Sequence, residues 1–263
     1  MHKSFLFAVI ILGFVSMPLL SDEGWGSLKG NIVVDGAIPE NPKEKIDKDQ
    51  ASCLSDKPAP ADDNLLVGPG GELKDAFIMM YRKSSDPKPA IHPSYTEAKQ
   101  QPVILDNKNC RFVPHAVFLQ TGQPLELRNS DDVGHNCHII TFNNEENINL
   151  AKKDAVKLTF TDADKTPGNV VCDIHNWMDA IILIRDEPYA AITKTDGSFE
   201  IKNIPAGTWK FQFWHKKTGF MKKLDVPNYK VGKIKADIEV TIKDGETLDL
   251  GKLTLPASSI KTR

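Results

Sequence analysis

In the stretch VVCDIHNWMDAIILI, Val170 to Ile184, a cysteine, a histidine and a methionine recur at intervals of three, as Cys172, His175 and Met178, between two apolar runs. A chain of 263 residues with only 4 Cys and 6 Met has few such side chains to cluster by chance. Copper is the metal that best suits two imidazoles and a thiolate in a trigonal set with a weak thioether above it. The loop supplies one histidine, so a second must come from elsewhere. The candidate is His135 in RNSDDVGHNCHIITF, which enters an apolar run straight after a polar turn, 37 residues before Cys172.

The elements that must position these groups read as strands. Nearly every apolar run is short, rich in Val, Ile, Phe and Leu, and bounded by Gly, Pro, Asn or Asp: HAVFLQTG, PLELRNSD, CHIITFN, AVKLTFTD, NVVCDI and AIILIRD are examples. Pro42 to Gln50 has room for a helical turn or two, and no long amphipathic helix is expected. An all-β, antiparallel sandwich follows. The polar, Pro-bearing stretches Glu40 to Asn64 and Ser84 to Gln101 read as surface loops, more simply tolerated insertions than working parts.

Alternation along a strand sorts the neighbours of His135. If His135 faces inward, Cys137 does too and His138 faces out. Cys137 then reads as a small core residue, or a partner for Cys172. A zinc site drawing on His135, Cys137, His138 and Cys172 would need both strand faces at once. His115, in CRFVPHAVF, is a conceivable extra ligand but reads better as structural.

The N-terminal MHKSFLFAVIILGFVSMPLLSDEGWG has Lys3, an apolar stretch from Phe5 to about Leu20, and then Ser21, Asp22 and Glu23. That is the layout of a signal peptide ending near residue 21; a membrane anchor is the rival, and Gly13, Ser16 and Pro18 suit cleavage better. The mature chain is expected in the periplasm or outside the cell, with no membrane span. In an oxidising compartment cysteines pair, and Cys53 and Cys110, both in polar, turn-like surroundings, are the preferred disulfide. Tyr189 to Arg263 carries 14 Lys/Arg against 8 Asp/Glu, net +6, leaving −8 for the remainder of a chain whose total is −2. The asymmetry suggests two units and an acidic face for a basic partner, although ordinary solvated surface explains it equally well.

Two resemblances sharpen this outline. GQPLELRNSDDVGHNCHIITF followed by NVVCDIHNWMDAIILI resembles the cupredoxins, the type 1 or blue copper proteins, over Phe112 to Arg185. The Cys-x2-His-x2-Met loop is most like that of amicyanin; plastocyanin and pseudoazurin place the methionine two residues later. The resemblance implies a Greek-key sandwich with one type 1 copper, in which His135 and His175 are the imidazole ligands, Cys172 the thiolate and Met178 the distant axial ligand. It also implies that Asn136 ties the two ligand loops together, a duty that physical reasoning assigns to some neighbour in any case, since ligand geometry needs outer support. The chain departs from the family in its long N-terminal addition, in Asp173 and Ile174 where Pro commonly precedes the second histidine, and in Trp177. The segment TDGSFEIKNIPAGTWKFQFWH, in turn, resembles the carboxypeptidase regulatory-like (transthyretin-like) β-sandwich, usually an accessory module.

The expected organisation is therefore a signal peptide at 1–21, a cupredoxin-like domain at 22–186 with a long N-terminal addition, and a smaller transthyretin-like sandwich at 187–263. GSLKGNIVVDGAIP is assigned to the copper sandwich. The expected function is transport of single electrons between redox partners, with a protein partner docking near His175 and Trp177 and no nucleic acid. The competing readings are an extracellular scaffold with incidental copper, and copper storage or delivery. An enzyme is not expected: contiguous His-Cys-His or paired His-x-His motifs mark further copper clusters, and HNCH at 135–138 is neither.

Overall fold

The structure is a computed structural model that describes residues 24–54 and 58–261. The expected signal peptide at 1–21 lies outside the described residues. The chain opens with β1 (Trp25–Asp35) and β2 (Phe77–Tyr81), separated by a long excursion that holds helix α1 (Gln50–Cys53). After helix α2 (Pro93–Ala98) come β3 (Val103–Asn107), β4 (Phe112–Val113), β5 (Ala116–Gln120), β6 (Pro124–Asn129), β7 (His135–Ile140), β8 (Glu145–Leu150), β9 (Ala155–Thr159), β10 (Gly168–Val171) and β11 (Asp179–Arg185). The chain finishes with β12 (Ala190–Ile192), β13 (Ser198–Pro205), β14 (Gly207–His215), β15 (Gly219–Phe220), β16 (Asp237–Ile242) and β17 (Thr247–Pro256). Neither helix exceeds six residues. The turn expected within Pro42 to Gln50 falls instead at Gln50–Cys53, and Ser84 to Gln101, read as loop, contains α2.

These strands build two sandwiches. In the first, sheet β5-β11-β10-β7-β8 faces sheet β4-β3-β6-β9. Alternation in β6 sends Leu125, Leu127 and Asn129 inward, where the two leucines join Leu105, Phe112, Leu119, Ile139 and Ile182 in one core. In the second, sheet β13-β1-β17 faces sheet β12-β2-β14-β15, with β16 paired to β14. Its core is aromatic and aliphatic, with Phe199, Phe211 and Phe213 among Leu28, Ile32 and Leu253.

The strand pairing corrects the expected boundary at 186. β1, from the segment GSLKGNIVVDG, is the middle strand of its sheet, antiparallel to β13 and parallel to β17, and β2 lies between β12 and β14. Leu28, Ile32 and Val34 project into the core of the C-terminal sandwich. Without β1, strands β13 and β17 have no neighbour between them; residues 187–263 alone are therefore not a complete sandwich. The sandwich built from β3–β11 is in effect inserted between β2 and β12.

The two sandwiches meet sheet to sheet. Ile78 and Met80 of β2 enter the C-terminal core, while Phe77 and Met79 face the other way into a seam with Ile181 and Leu183 of β11; Ala180, Ile182 and Ile184 enter the core of the β3–β11 sandwich. Burial on both faces explains why FIMMY and AIILI are continuous apolar runs rather than alternating ones. Each large seam side chain contributes about 2 kcal/mol of transfer free energy before the cost of ordering it. Arg185 of β11 crosses to the Met80 carbonyl oxygen at 2.9 Å and pairs with Glu187, which also holds Arg82.

Candidate metal centre

β10 and β11 pair antiparallel from Gly168↔Ile182 to Val171↔Asp179, so residues 172–178 are the connection of a hairpin. Two backbone bonds close that loop: the Cys172 N–H donates to the Met178 carbonyl oxygen at 3.1 Å, and the Met178 N–H to that of His175 at 2.9 Å. On its other edge β10 pairs with β7 through Val171↔His138, which brings the start of β7, and with it His135 and Asn136, to the same end of the sheet as the loop. Asn136 then joins the two: its Oδ1 accepts from the Asp173 N–H at 2.6 Å and its Nδ2 donates to the Asp173 carboxylate at 3.1 Å.

His135, Cys172 and His175 converge as a result, each almost wholly buried. The two Nδ1 atoms are 2.9 Å apart, and Cys172 Sγ lies 3.8 Å from His175 Nδ1. A first-row ion about 2.0 Å from each nitrogen and about 2.3 Å from sulfur, at tetrahedral to trigonal angles, separates the nitrogens by about 3.3–3.5 Å and nitrogen from sulfur by about 3.5–3.7 Å. The donor set thus fits one metal ion with little movement. Its softness, one thiolate and two imidazoles, is that of copper rather than of calcium or magnesium. Met178 is buried in the same apolar cluster as Cys172 and Trp177.

The surroundings prepare these atoms for coordination. Cys172 Sγ accepts backbone N–H bonds from Asn136 and His175, each at 3.4 Å. Burial alone would raise the Cys172 thiol, but His135 and these backbone donors overcome it and hold the thiol below its ordinary value. His135 is the converse: burial disfavours its charge, yet Asp131 and the Cys172 sulfur push it up to about 9. Burial lowers His175, and the charge on His135 adds to this against the pull of Asp49. The metal-free centre thus favours the anionic form of Cys172, the charged form of His135 and the neutral form of His175. His135 Nδ1 and His175 Nδ1 share one hydrogen bond, whose proton metal entry displaces.

Each outward nitrogen is held by a carboxylate. His135 Nε2 donates to Asp131 at 2.9 Å, and Asp131 in turn accepts the backbone N–H groups of Asn109 and Cys110. His175 Nε2 donates to Asp49 at 2.8 Å. Such partners orient ligating imidazoles and raise their basicity. Neither aspartate was among the residues singled out from the sequence. Asp131 carried a usable signal, a carboxylate four residues before a histidine in a tight turn, whereas Asp49 is 126 residues from its partner and carried none.

The other cysteines and histidines divide cleanly. Cys53 and Cys110 are disulfide-bonded; Cys137 and Cys172 are free. Cys137 is fully buried, its thiol pushed up to about 12 mainly by that burial, and Asn107 Nδ2 approaches its sulfur at 3.4 Å, so it is a neutral core residue. His138 faces out toward Asp173. His115 lies in a separate cluster with Asp63, Asp75 and Asp179. The expected open edge at His175 and Trp177 is absent: His175 is 0% exposed and Trp177 5%, with Asp49 bonded to the His175 ring and the Cys110 carbonyl to the Trp177 indole, leaving Ile174 at 37% as the loop's exposed apolar residue.

No protein-family model matches the chain, and no curated protein does. Among solved structures, the copper-containing nitrite reductase NirK from Thermus scotoductus SA-01 is similar at 22% identity over 32% of this chain and 22% of its own, with a TM-score of 0.29. Oxidized amicyanin bearing a proline-to-alanine substitution matches at 19% identity over 32% of this chain and 82% of its own, TM-score 0.28. A reduced Cu(I) form of a proline-to-glycine variant of amicyanin at pH 4 matches at 19% over 41% of this chain and 98% of its own, TM-score 0.29. The chain thus spans about a fifth of the nitrite reductase.

Proposed function

We propose that this chain is a type 1 copper protein that carries single electrons between redox partners. The observation that carries this reading is the convergence of two Nδ1 atoms and a hydrogen-bonded cysteine sulfur in one buried site at coordination spacing. Copper bound there supplies the one-electron couple. His135, His175 and Cys172 hold the geometry; Asn136 fixes the two ligand segments against each other; the apolar core, with Met178, Trp177 and Phe112, keeps water out. A rigid, dry donor set changes little between two oxidation states, which is what fast electron exchange requires. No catalytic step is assigned, and the chain is read as a carrier rather than an enzyme. Export to an oxidising compartment is supported by the Cys53–Cys110 bond, and no helix among the described residues is long and apolar enough to cross a membrane. A redox protein would meet the ligand loop at Ile174 and the segment over His175.

The mature protein mixed with Cu(II) is expected to turn intensely blue or green, and Cys172→Ser to abolish the colour. A colourless wild-type mixture overturns the reading. One observation favours copper storage or delivery instead: no ligand ring is open to solvent. Storage would show tight Cu(I) binding with slow electron exchange.

A further inference from the structure

We propose that Asp49 is a positioning residue for His175, and that the segment bearing it, residues 43–54, is a strap that closes the outward edge of the metal centre and is pinned there by the Cys53–Cys110 disulfide. The proposal rests on the copper reading for its redox consequences, but its geometry stands on the metal-free protein.

The backbone of Asp49 occupies the N-cap of α1, where an aspartate ordinarily turns its carboxylate onto its own helix. Here it makes no side-chain cap bond. Its main-chain oxygen accepts the Ser52 and Cys53 N–H groups, while the carboxylate reaches His175 Nε2 at 2.8 Å. The residue does this from left-handed backbone, φ 45°, which aspartate tolerates better than most residues, and neighbouring contacts hold the segment in place. Those contacts are specific. The Glu44 N–H donates to Pro60 and the Asp62 N–H to Pro42, closing the neck of the strap. Ile46 is buried in the copper-side core and its carbonyl oxygen accepts from Gln50. Cys53 is bonded to Cys110, whose sulfur lies within 4.8 Å of a ring nitrogen of His135 and whose carbonyl oxygen accepts the Trp177 indole N–H. The strap therefore meets the His175 loop directly and the His135 segment through its disulfide partner Cys110, and it closes over the imidazole edge through which a partner would exchange electrons.

Two measurements test this. In metal-free protein the His175 Nε2–H proton is expected to give a sharp, slowly exchanging NMR resonance that is lost to solvent exchange in Asp49→Ala and in the Cys53→Ser/Cys110→Ser double variant, and recovered in part in Asp49→Glu. In copper-loaded protein, Asp49→Asn is expected to weaken Cu(II) binding relative to Cu(I) about tenfold, an upward potential shift of about 59 mV for one electron. Persistence of the slow proton in both Asp49→Ala and the double variant, or an unchanged potential in Asp49→Asn, overturns the proposal. If the wild type fails to bind copper, the electron-carrier reading falls while the proton measurement still decides the strap.

Discussion

Two clusters, one inside the β3–β11 sandwich and one at its contact with the other sandwich, bring histidine together with anionic side chains, and they are built to opposite ends. In the first, His135 and His175 give their outward nitrogens to carboxylates and leave both Nδ1 atoms and the Cys172 sulfur facing one point. In the second, both nitrogens of His115 are taken, by Asp75 and Asp179 at 3.3 Å each, and every carboxylate has a second cation: Lys216 on Asp179 at 2.7 Å, Arg111 on Asp63 at 2.6 Å and Lys74 on Asp75 at 3.7 Å. In both, three donor atoms lie within 4.8 Å of one another: those of His135, Cys172 and His175 in the first, and of Asp63, His115 and Asp179 in the second. Direction and compensation separate them: convergent lone pairs with an exchangeable proton make a coordination site, whereas opposed lone pairs with balanced charges make a clamp. The clamp joins the two sandwiches, since Asp75 precedes β2 and Lys216 follows β14 while His115 and Asp179 flank β5 and β11.

The largest expected contrast is a double dissociation. Cys172→Ser should eliminate copper colour while leaving the denaturation midpoint of metal-free protein close to wild type. His115→Ala should retain the colour and lower stability by about 3 kcal/mol, because it strands buried carboxylates that the imidazolium now balances. Equal loss of colour in both variants would erase the distinction drawn between the clusters.

A smaller effect is a pH profile set by the clamp and its neighbour His215. His115 is raised from 6.5 to about 9: burial opposes its charge, and Asp179, Asp75 and Asp63 prevail. The folded state binds that proton more tightly, so the stabilisation is complete below about pH 6.5 and is lost as pH rises through about 9, amounting to about 3 kcal/mol at most. His215, fully buried, is lowered from 6.5 to about 4 by that burial; Asp75 opposes, while His115 and Lys217 add to the lowering. It contributes in the other direction, stabilising above about 6.5 and costing stability as pH falls toward 4. Urea midpoints across pH should therefore peak near neutrality. His115→Gln should flatten the alkaline limb, and the difference from wild type separates His115 from His135, which is also raised in metal-free protein. An alkaline limb unchanged in His115→Gln would sink this account. The smallest effect is that of Cys137→Ala, about 1 kcal/mol from the lost buried sulfur, with copper colour intact; bleaching in that variant would promote Cys137 to a ligand.

Much of this was legible from residue order. Short apolar runs between turn residues gave away an all-β chain, and the spacing of Cys172 and His175 with a strand-entry histidine upstream located three groups that the fold brings together. Alternation correctly separated inward Cys137 from outward His138. What failed was long-range pairing. The pattern of GSLKGNIVVDG specifies a half-buried strand but not which sheet receives it, since the decision lies in the gap between β13 and β17, more than 160 residues away. Asp49 was invisible for the same reason: a polar loop with scattered prolines looks like an insertion until its contact across 126 residues is seen. The clamp was hidden because its histidine and its three carboxylates come from four separate segments, each unremarkable by itself.

The placement of β1 between β13 and β17 has an implication for biogenesis. A nascent chain emerging amino end first must leave this strand waiting, without hydrogen-bonding neighbours, until β13 and then β17 have been synthesised. The intervening β3–β11 unit, contiguous in the chain, has all its partners in hand by residue 185 and can collapse around its core long before the host sandwich closes. Truncations that remove β17 should therefore yield a chain whose β3–β11 unit is intact while one edge of the apolar β1 remains open to association with other molecules.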